Sequence, residues 1–283
     1  MNNTDEKYTK FGLTKDMLAT PEIVRKFDSS RMLQTAVEIA KVGRLLMTGE
    51  GSSRIFPAKS AMRAALQHGW NLQLATEAGK QAQEYNLAEW AVFALSNSGR
   101  TAEVIGLFTK LAEAGHEQLY SLTAFEDSKL ESVATKGYVL GCGEEGAVAA
   151  TKSVVEQALF YRALLEQIAG QPALAGRLDD LATKMNTALT LEIPAELTEK
   201  ISKAGTIYWA GRNDGVAEEL TLKTNEITRK QSDFLEGTYA VHGVEEVMNA
   251  DDVVLWVDPY PDSEDKFADV LEKGVGLTII AIA

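Results

Sequence analysis

Cysteine is almost absent from this 283-residue chain, which contains a single one, Cys142. One cysteine cannot form a disulfide within the chain, which excludes a disulfide-stapled secreted scaffold and favours a reducing compartment. No apolar run approaches the ~18 residues that a membrane-spanning helix needs. The N-terminal stretch MNNTDEKYTK is polar and lacks the apolar centre of a signal peptide. The sequence therefore predicts a cytoplasmic protein that does not bind a membrane.

Basic residues are also scarce, because 28 Lys and Arg face 41 Asp and Glu, for a formal net charge of −13. Nucleic-acid surfaces need clustered positive charge, so nucleic acid is not an expected partner. Only three histidines are present, and no cluster of His, Cys and carboxylates has metal-ligand spacing. We therefore expect no metal and no cofactor. A small anionic ligand is compatible with this charge, since a few oriented N–H groups override the overall field locally.

Short apolar runs alternate with helical patterns in the first part of the chain. A long helix is predicted from Thr151 to Ile168, and shorter ones lie between the apolar runs. Buried strands that alternate with helices indicate a parallel sheet covered on both faces. The apolar runs predict five such strands, at 44–50, 72–77, 90–96, 119–124 and 137–142.

The same alternation restarts at 206–211, where a strand precedes a predicted helix over VAEELTLKTNEITRK, and further strands are expected at 252–258 and 277–283. The interval 171–200 has no strand pattern and predicts connecting helices. Because nothing follows the last strand, we expect the second domain to be incomplete at its C-terminus. The predicted organisation is an N-terminal helical segment at 1–30, a first α/β domain at 31–170, a helical connection at 171–200 and a second α/β domain at 201–283.

The stretch LSNSGRTAEV, 95–104, places small polar side chains where the third predicted strand meets a helix. A helix N-terminus offers free N–H groups and partial positive charge, and hydroxyls at this spacing can surround a phosphate without a lysine. The plainer alternative is a capping box around Ser98, although capping seldom uses three hydroxyls and an amide together. The residues that surround Gly99 in this loop are Ser96, Asn97, Ser98 and Thr101.

Two more loops follow predicted strands at the same edge, which is where parallel sheets bind their ligands. The first strand ends in TGEGSSR, in which Gly49 and Gly51 permit a tight turn. Ser52 and Ser53 open the next helix, where they either bind a ligand oxygen or cap the helix. The fifth strand ends in GCGEEGAVAATK, at 141–152.

In the second section, Glu219, Lys223 and Glu226 are spaced i, i+4 and i+7, so they share one face of the predicted helix. From spacing alone, this is more typical of a solvated ion-pair ladder worth about 0.2–0.5 kcal/mol per pair. His242, taken alone, is more typical of an ordinary loop histidine than of a catalytic one.

Taken together and in this order, GEGSS, LSNSGRTAEV and GEEGAVAATK resemble the sugar isomerase (SIS) domain family, above all the isomerase half of glutamine–fructose-6-phosphate aminotransferases. That family has LSQSGET and GTEIGVASTK at the corresponding places. The resemblance runs from near residue 15 to the C-terminus, and it implies an α/β fold of two SIS-type, flavodoxin-like parallel-sheet subdomains in tandem. It implies sugar contacts from Ser53, with Ser52 beside it in the same loop, and from the backbone of Val148 in the third loop. It also implies phosphate contacts from Ser96, Asn97, Ser98 and Thr101.

The second half resembles the family over EELTLKTNEIT…GTYAVHG, in register with the family's LEGALKLKEIS…GELKHG. This match implies that Glu226 is the base that moves a proton between C1 and C2 of the open-chain sugar, that Lys223 is a substrate-site residue and that His242 assists ring opening. The chemistry fits, because one carboxylate near both carbons can take and return the proton, and a histidine titrates near neutral pH. In the family the histidine can come from the neighbouring subunit, so a homodimer or higher homo-oligomer is expected.

The chain also departs from the family pattern. Arg100 replaces a glutamate, Ala150 replaces a serine and Val241 replaces a lysine. No glutaminase domain or N-terminal cysteine is present, so we expect no glutamine-derived ammonia. The chain ends at Ala283, before the place of the family's C-terminal lysine, so either the sequence is a shortened version of the molecule or its chemistry does not need that lysine.

The expected function is that of a phosphosugar isomerase-type enzyme, which acts on a ketose or amino-sugar 6-phosphate as a ketose/aldose isomerase or an amino-sugar-phosphate deaminase/isomerase. A fructosamine-6-phosphate deglycase and a non-catalytic sugar-phosphate-binding regulatory module remain as alternatives. A nucleotide-binding Rossmann domain is excluded, because its G-x-G-x-x-G motif is missing.

Overall fold

The computed structural model describes the whole chain, residues 1–283. It divides into two compact units, Met1–Leu191 and Glu192–Ala283, and each unit is an α/β structure with its own sheet. None of the helices combines the length and the apolar content that crossing a membrane requires.

The sheet of the first unit is entirely parallel. Its strands are β1 (Arg44–Gly49), β2 (Gln73–Ala78), β3 (Ala91–Ser96), β4 (Leu119–Thr123) and β5 (Lys136–Val139). They are arranged in the order β2-β1-β3-β4-β5. This is the doubly wound order of flavodoxin-like folds, in which the strand order reverses between β1 and β3. The loops that leave β1 and β3 therefore flank the crevice where such sheets hold ligands.

Helices cover both faces of this sheet. They are α1 (Glu6–Thr9), α2 (Gly12–Arg25), α3 (Leu33–Val42), α4 (Ile55–His68), α5 (Gly79–Ala82), α6 (Ala102–Glu113), α7 (Lys152–Ile168) and α8 (Leu178–Thr190). Because strand residues alternate between faces, Leu45 and Met47 pack with Phe93 on the side of α3, α4 and α7. Leu46 packs on the other side, with Phe108 of α6. Since α7 contacts α2, α3 and α4, it is buried on nearly all sides.

The second unit repeats this arrangement on a smaller scale. It contains α9 (Ala195–Lys203), β6 (Ile207–Gly211), α10 (Val216–Lys223), β7 (Ser232–Glu236), β8 (Val253–Val257), α11 (Glu264–Phe267) and β9 (Thr278–Ile282). Its parallel strands are arranged in the order β7-β6-β8-β9. The helices predicted at 171–200 are α8 and the first part of α9, and the division between the units falls after Leu191.

Two features of the second unit differ from the sequence prediction. The edge strand β7 was not predicted, because its sequence SDFLE has only two apolar residues and only Leu235 is buried. The helix predicted over VAEELTLKTNEITRK is also too long. The α-helix α10 ends at Lys223, and a π-helical segment, Thr224–Thr228, follows it directly. Arg229, with a left-handed φ of 58°, ends this segment.

Candidate functional site

The first two polar loops of the first unit meet at Gly49, the last residue of β1. A Cβ atom on Gly49 would lie 2.8 Å from the carbonyl oxygen of Ser53 and 2.9 Å from that of Leu95. Any side chain here would push the loop after β1 away from the end of β3. Glycine therefore lets the Ser52–Ser53 turn lie directly against the residues that lead into the LSNSGRT loop.

The loop after β3 is held in shape by its own hydrogen bonds. The Gly99 N–H donates to the Ser96 Oγ at 3.1 Å, and the Ser96 and Thr101 hydroxyl oxygens lie 2.8 Å apart. Gly99 has a left-handed φ of 60°, and a Cβ there would lie 2.4 Å from the Ser128 Cβ. Only glycine satisfies both constraints, so the conformation of this loop depends on Gly99.

The N-terminus of α6 is not capped by the side chain that precedes it. Thr101 makes no capping hydrogen bond, and Ser98 Oγ instead accepts the Arg100 N–H at 3.2 Å, outside the helix. The capping box that the sequence left as an alternative is therefore not formed. The first-turn N–H groups of this 12-residue helix, the exposed Ser98 and the half-buried Thr101 together suit an anion. Ser96 differs from them, because it is only 3% exposed and bonds within the loop.

The loop after β5 shows the opposite electrostatic arrangement. The Glu145 carboxylate accepts the N–H groups of Thr151 and Ser153, each at 2.9 Å, so negative charge already occupies the N-terminus of α7. A bound anion is therefore favoured at α6 and disfavoured at α7. Val148 lies in this loop with its side chain fully exposed.

Two buried carboxylates fix the loop after β5. Asp16 on α2 accepts the Gly146 N–H at 2.6 Å and pairs with the Lys152 ammonium at 3.0 Å. Glu156 on α7 accepts the N–H groups of Gly141 and Cys142 at 2.8 and 2.7 Å. Sequence analysis did not identify these anchors, because Asp16 is 130 residues from its partner Gly146.

Cys142 lies in the same loop but is not a reactive nucleophile. Burial, followed by the nearby Glu156 carboxylate, raises the pKa of the Cys142 thiol to about 12. Because the thiolate is the nucleophilic form, the neutral thiol is inert at physiological pH.

Polar atoms without a protein partner concentrate around these loops. Eight residues of the first unit have a buried side-chain nitrogen or oxygen with no hydrogen-bond partner. Five of the eight lie in the three loops or on the first turns of α7, namely Glu50, Arg54, Asn97, Ser153 and Gln157. Folded proteins pair nearly all such atoms, so a cluster of exceptions marks this edge of the sheet as a place adapted for something other than stability.

In the second unit, Lys223 brings two carboxylates together. Its ammonium lies 2.9 Å from Glu226 Oε2 and 3.4 Å from Glu219 Oε1. The Glu219 side chain is 9% exposed and the Glu226 side chain is 41% exposed, so one carboxylate is internal and the other is accessible. The predicted ion-pair ladder is present, and it leaves Glu226 facing solvent.

Glu226 lies in the π-helical segment rather than on a regular helix. Thr224 explains part of this change, because its hydroxyl donates to the Leu220 carbonyl at 2.8 Å and accepts the Trp209 indole N–H at 2.8 Å. The Thr228 hydroxyl donates to the Thr224 carbonyl at 2.7 Å. Single π turns of this kind occur frequently at functional sites.

His242 follows the 3-10 turn Tyr239–Val241 and is exposed. Its Nε2 lies 3.2 Å from the Lys266 Nζ on α11. An ammonium group can only donate, so Nε2 is the acceptor in this contact. Within its unit, His242 hydrogen-bonds Lys266 and makes no hydrogen bond with Glu226 or Lys223. Sequence analysis did not identify Lys266. The structure contains no group of three or more His, Cys, Asp or Glu side chains arranged to hold a metal ion.

Comparison with known proteins identifies the fold. No protein-family model and no curated protein sequence matches the chain. Solved structures do match it over nearly its whole length. The C-terminal domain of glucosamine-fructose-6-phosphate aminotransferase from Francisella tularensis has a TM-score of 0.76 and 15% identity, over 98% of this chain and 85% of that chain.

Two further structures give the same result. Tagatose-6-phosphate ketose/aldose isomerase from Escherichia coli has a TM-score of 0.78 and 18% identity, over 96% of this chain and 82% of that chain. Glucosamine-6-phosphate deaminase from Thermotoga maritima has a TM-score of 0.74 and 18% identity, over 96% of this chain and 85% of that chain. At these identities the similarity establishes a shared α/β fold with two parallel sheets.

Proposed function

We propose that this chain is a phosphosugar isomerase-type enzyme built from two SIS-type subdomains in tandem, one in each compact unit. Its substrate is a ketose or amino-sugar 6-phosphate, and its reaction transfers a proton between C1 and C2. The observation that carries the proposal is the N-terminus of α6, which has no side-chain cap and follows a loop of hydroxyls and an amide where the strand order reverses. The names of the three similar structures, all concerned with hexose phosphates, support the same substrate class.

In this proposal the phosphate binds at the head of α6. Ser98 and Thr101 donate hydroxyl hydrogens, Asn97 contributes its amide, and the first-turn N–H groups add dipolar attraction. Ser96 completes the set through its 2.8 Å contact with the Thr101 hydroxyl. The sugar then extends toward Ser52 and Ser53, with the Val148 backbone as a further contact.

The proton transfer is assigned to Glu226. Its carboxylate takes the proton from one of the two carbons, which gives an enediol, and returns it to the other carbon. For a ketose/aldose pair, one sugar oxygen gains a hydrogen as a carbonyl becomes a hydroxyl, and the neighbouring oxygen loses one, so atoms and charge balance. For an amino sugar, the same transfer converts the C2 amine to an imine, which water hydrolyses to a ketose and ammonia. Lys223 lies 2.9 Å from Glu226, so this ion pair must weaken as the carboxylate accepts the proton. Lys223 is then available to stabilise negative charge on the substrate oxygens.

His242 is assigned to ring opening. A donor and an acceptor on one imidazole can move a proton between the ring oxygen and the anomeric hydroxyl. The exposed position of His242 supports this role, which requires Nε2 to exchange its contact with Lys266 for one with a sugar oxygen. We also propose that the enzyme works in the cytoplasm as a homodimer or higher homo-oligomer.

The test is a conversion assay with hexose and amino-sugar 6-phosphates. Fructose, tagatose, glucosamine and galactosamine 6-phosphates, together with a fructosamine 6-phosphate, distinguish isomerase, deaminase and deglycase activity. Exchange of solvent deuterium into the C1 or C2 position is expected if an enediol forms. Tight binding of these compounds with neither conversion nor exchange would instead identify a regulatory binding module.

A further inference from the structure

Gln157 is an unusual residue for its position in α7. It is 0% exposed, on a helix whose buried residues include Leu159, Phe160 and Leu164. Its Nε2 donates to the Ser53 Oγ at 3.4 Å, and its Oε1 has no hydrogen-bond partner. The carboxamide is therefore buried, with its nitrogen bonded to a residue 104 positions away in the sequence and its oxygen unpaired.

A buried amide with an unpaired oxygen is unfavourable compared with an apolar side chain of the same size. Methionine has nearly the same length and would fill this space without the desolvation penalty. The single hydrogen bond to Ser53 is long, so it offsets little of that penalty. Stability alone gives no reason for a carboxamide at this position.

The direction of the hydrogen bond supplies a reason. Because the carboxamide N–H donates to the Ser53 oxygen, the hydroxyl hydrogen of Ser53 is not needed for that bond. It is left to point elsewhere, and a hydroxyl that already accepts one hydrogen bond is a better donor. Ser53 therefore presents an O–H donor in the loop after β1, where Gly49 brings it against the end of β3.

We infer that Gln157 is a positioning residue that holds the Ser53 hydroxyl as a hydrogen-bond donor toward an acceptor oxygen of the bound sugar. The inference rests on the proposed function, since it assumes that the loop after β1 contacts the sugar. Gln157 does not touch the substrate, because it is fully buried, and it acts only through Ser53.

The test uses Gln157→Met, Ser53→Ala and the double variant in the full-length chain. Turnover of the best sugar phosphate, binding of inorganic phosphate and thermal unfolding are measured for each. Gln157→Met is expected to lower kcat/KM about five- to tenfold, the effect of one hydrogen bond. It is expected to leave phosphate affinity unchanged and to unfold at the same temperature as the wild type or higher.

The double variant tests whether the effect passes through Ser53. With Ser53 already replaced by alanine, Gln157→Met is expected to cause no further loss, because coupled residues are not additive. Ser121→Ala is the matched control. It removes another buried, unpaired hydroxyl, in the middle of β4 and outside the three loops, and it is expected to leave turnover unchanged.

Three results would overturn the inference. Gln157→Met could match the wild type in turnover, could lower turnover equally with and without Ser53, or could unfold at a clearly lower temperature. Each of them leaves the proposed function intact. Absence of any conversion by the wild-type chain would refute the proposed function, and the role of Gln157 with it.

Discussion

The ammonium of Lys223 lies 2.9 Å from the carboxylate of Glu226, at the point where α10 gives way to a π turn. Lys223 is mostly buried and also contacts the internal Glu219 at 3.4 Å, whereas Glu226 remains accessible. A lysine that bridges an internal and an accessible carboxylate can hold the accessible one in place without removing it from solvent. The proposed assignment of the base to Glu226, and not to Glu219, agrees with this difference in exposure.

Replacement of this carboxylate is the most direct test of the proposed chemistry. Glu226→Gln preserves size and polarity but cannot accept the proton, so turnover is expected to fall roughly 10²- to 10⁴-fold. Affinity for the sugar phosphate, measured by calorimetry, is expected to change little. Glu246→Gln, an exposed change in the same unit, is the control and is expected to keep full activity. Unaltered turnover in Glu226→Gln would exclude this residue as the base.

The proposed phosphate site at the head of α6 predicts that removing one of its hydroxyls weakens phosphate binding. Ser98→Ala and Thr101→Ala each remove one hydroxyl donor to a charged acceptor, which contributes about 1.5–3 kcal/mol. The dissociation constant for inorganic phosphate is therefore expected to rise roughly tenfold or more in each variant. Thr183→Ala removes an exposed hydroxyl on α8 and is expected to bind phosphate like the wild type. Equal affinity in all four proteins would place the anion elsewhere.

Gly99→Ala is expected to destabilise the first unit. The new Cβ would have a left-handed φ of 60° and would lie 2.4 Å from the Ser128 Cβ. The backbone conformation alone costs about 1 kcal/mol, and the contact adds to it. Gly69→Ala is the matched control, because its φ is 65° and nothing lies within 4 Å of the new Cβ. Chemical denaturation is expected to show a clearly larger loss for Gly99→Ala, and equal losses would mean that the Ser128 contact relaxes freely.

The Cys142 thiol predicts a specific dependence of stability on pH. Its pKa is about 12 in the folded chain, above the usual value near 9, so the folded state retains the proton longer than the unfolded state. Its contribution is present below about pH 9 and is lost as the pH rises toward about 12. Cys142→Ala is expected to reduce the fall in unfolding free energy over this range. Alkylation by iodoacetamide at pH 8.5 is expected to be slow until denaturant is added, and rapid labelling of the native chain would contradict the raised pKa.

The sequence determined the elements and the edge of the sheet where the polar loops meet. Eight of the nine strands begin and end within a few residues of the apolar runs that predicted them, and α7 spans Lys152–Ile168 against a prediction of 151–168. The spacing and the number of apolar residues are local properties of the sequence, so they predict strands and helices without knowledge of the fold. The strand β7 is the exception, because an edge strand buries too little to need an apolar run.

Tertiary structure decided what each polar residue does. The motif alone could not settle whether Ser98 caps α6 or leaves the N–H groups of that helix available. In the structure, the Ser98 oxygen accepts the Arg100 N–H, and α6 has no side-chain cap. The bond between Gln157 and Ser53, like that between Asp16 and Gly146, joins segments more than 100 residues apart. Such pairings depend on how helices pack over the sheet. A local pattern therefore specifies strand and helix, but only the folded chain specifies which buried polar atoms are paired and which are left unpaired.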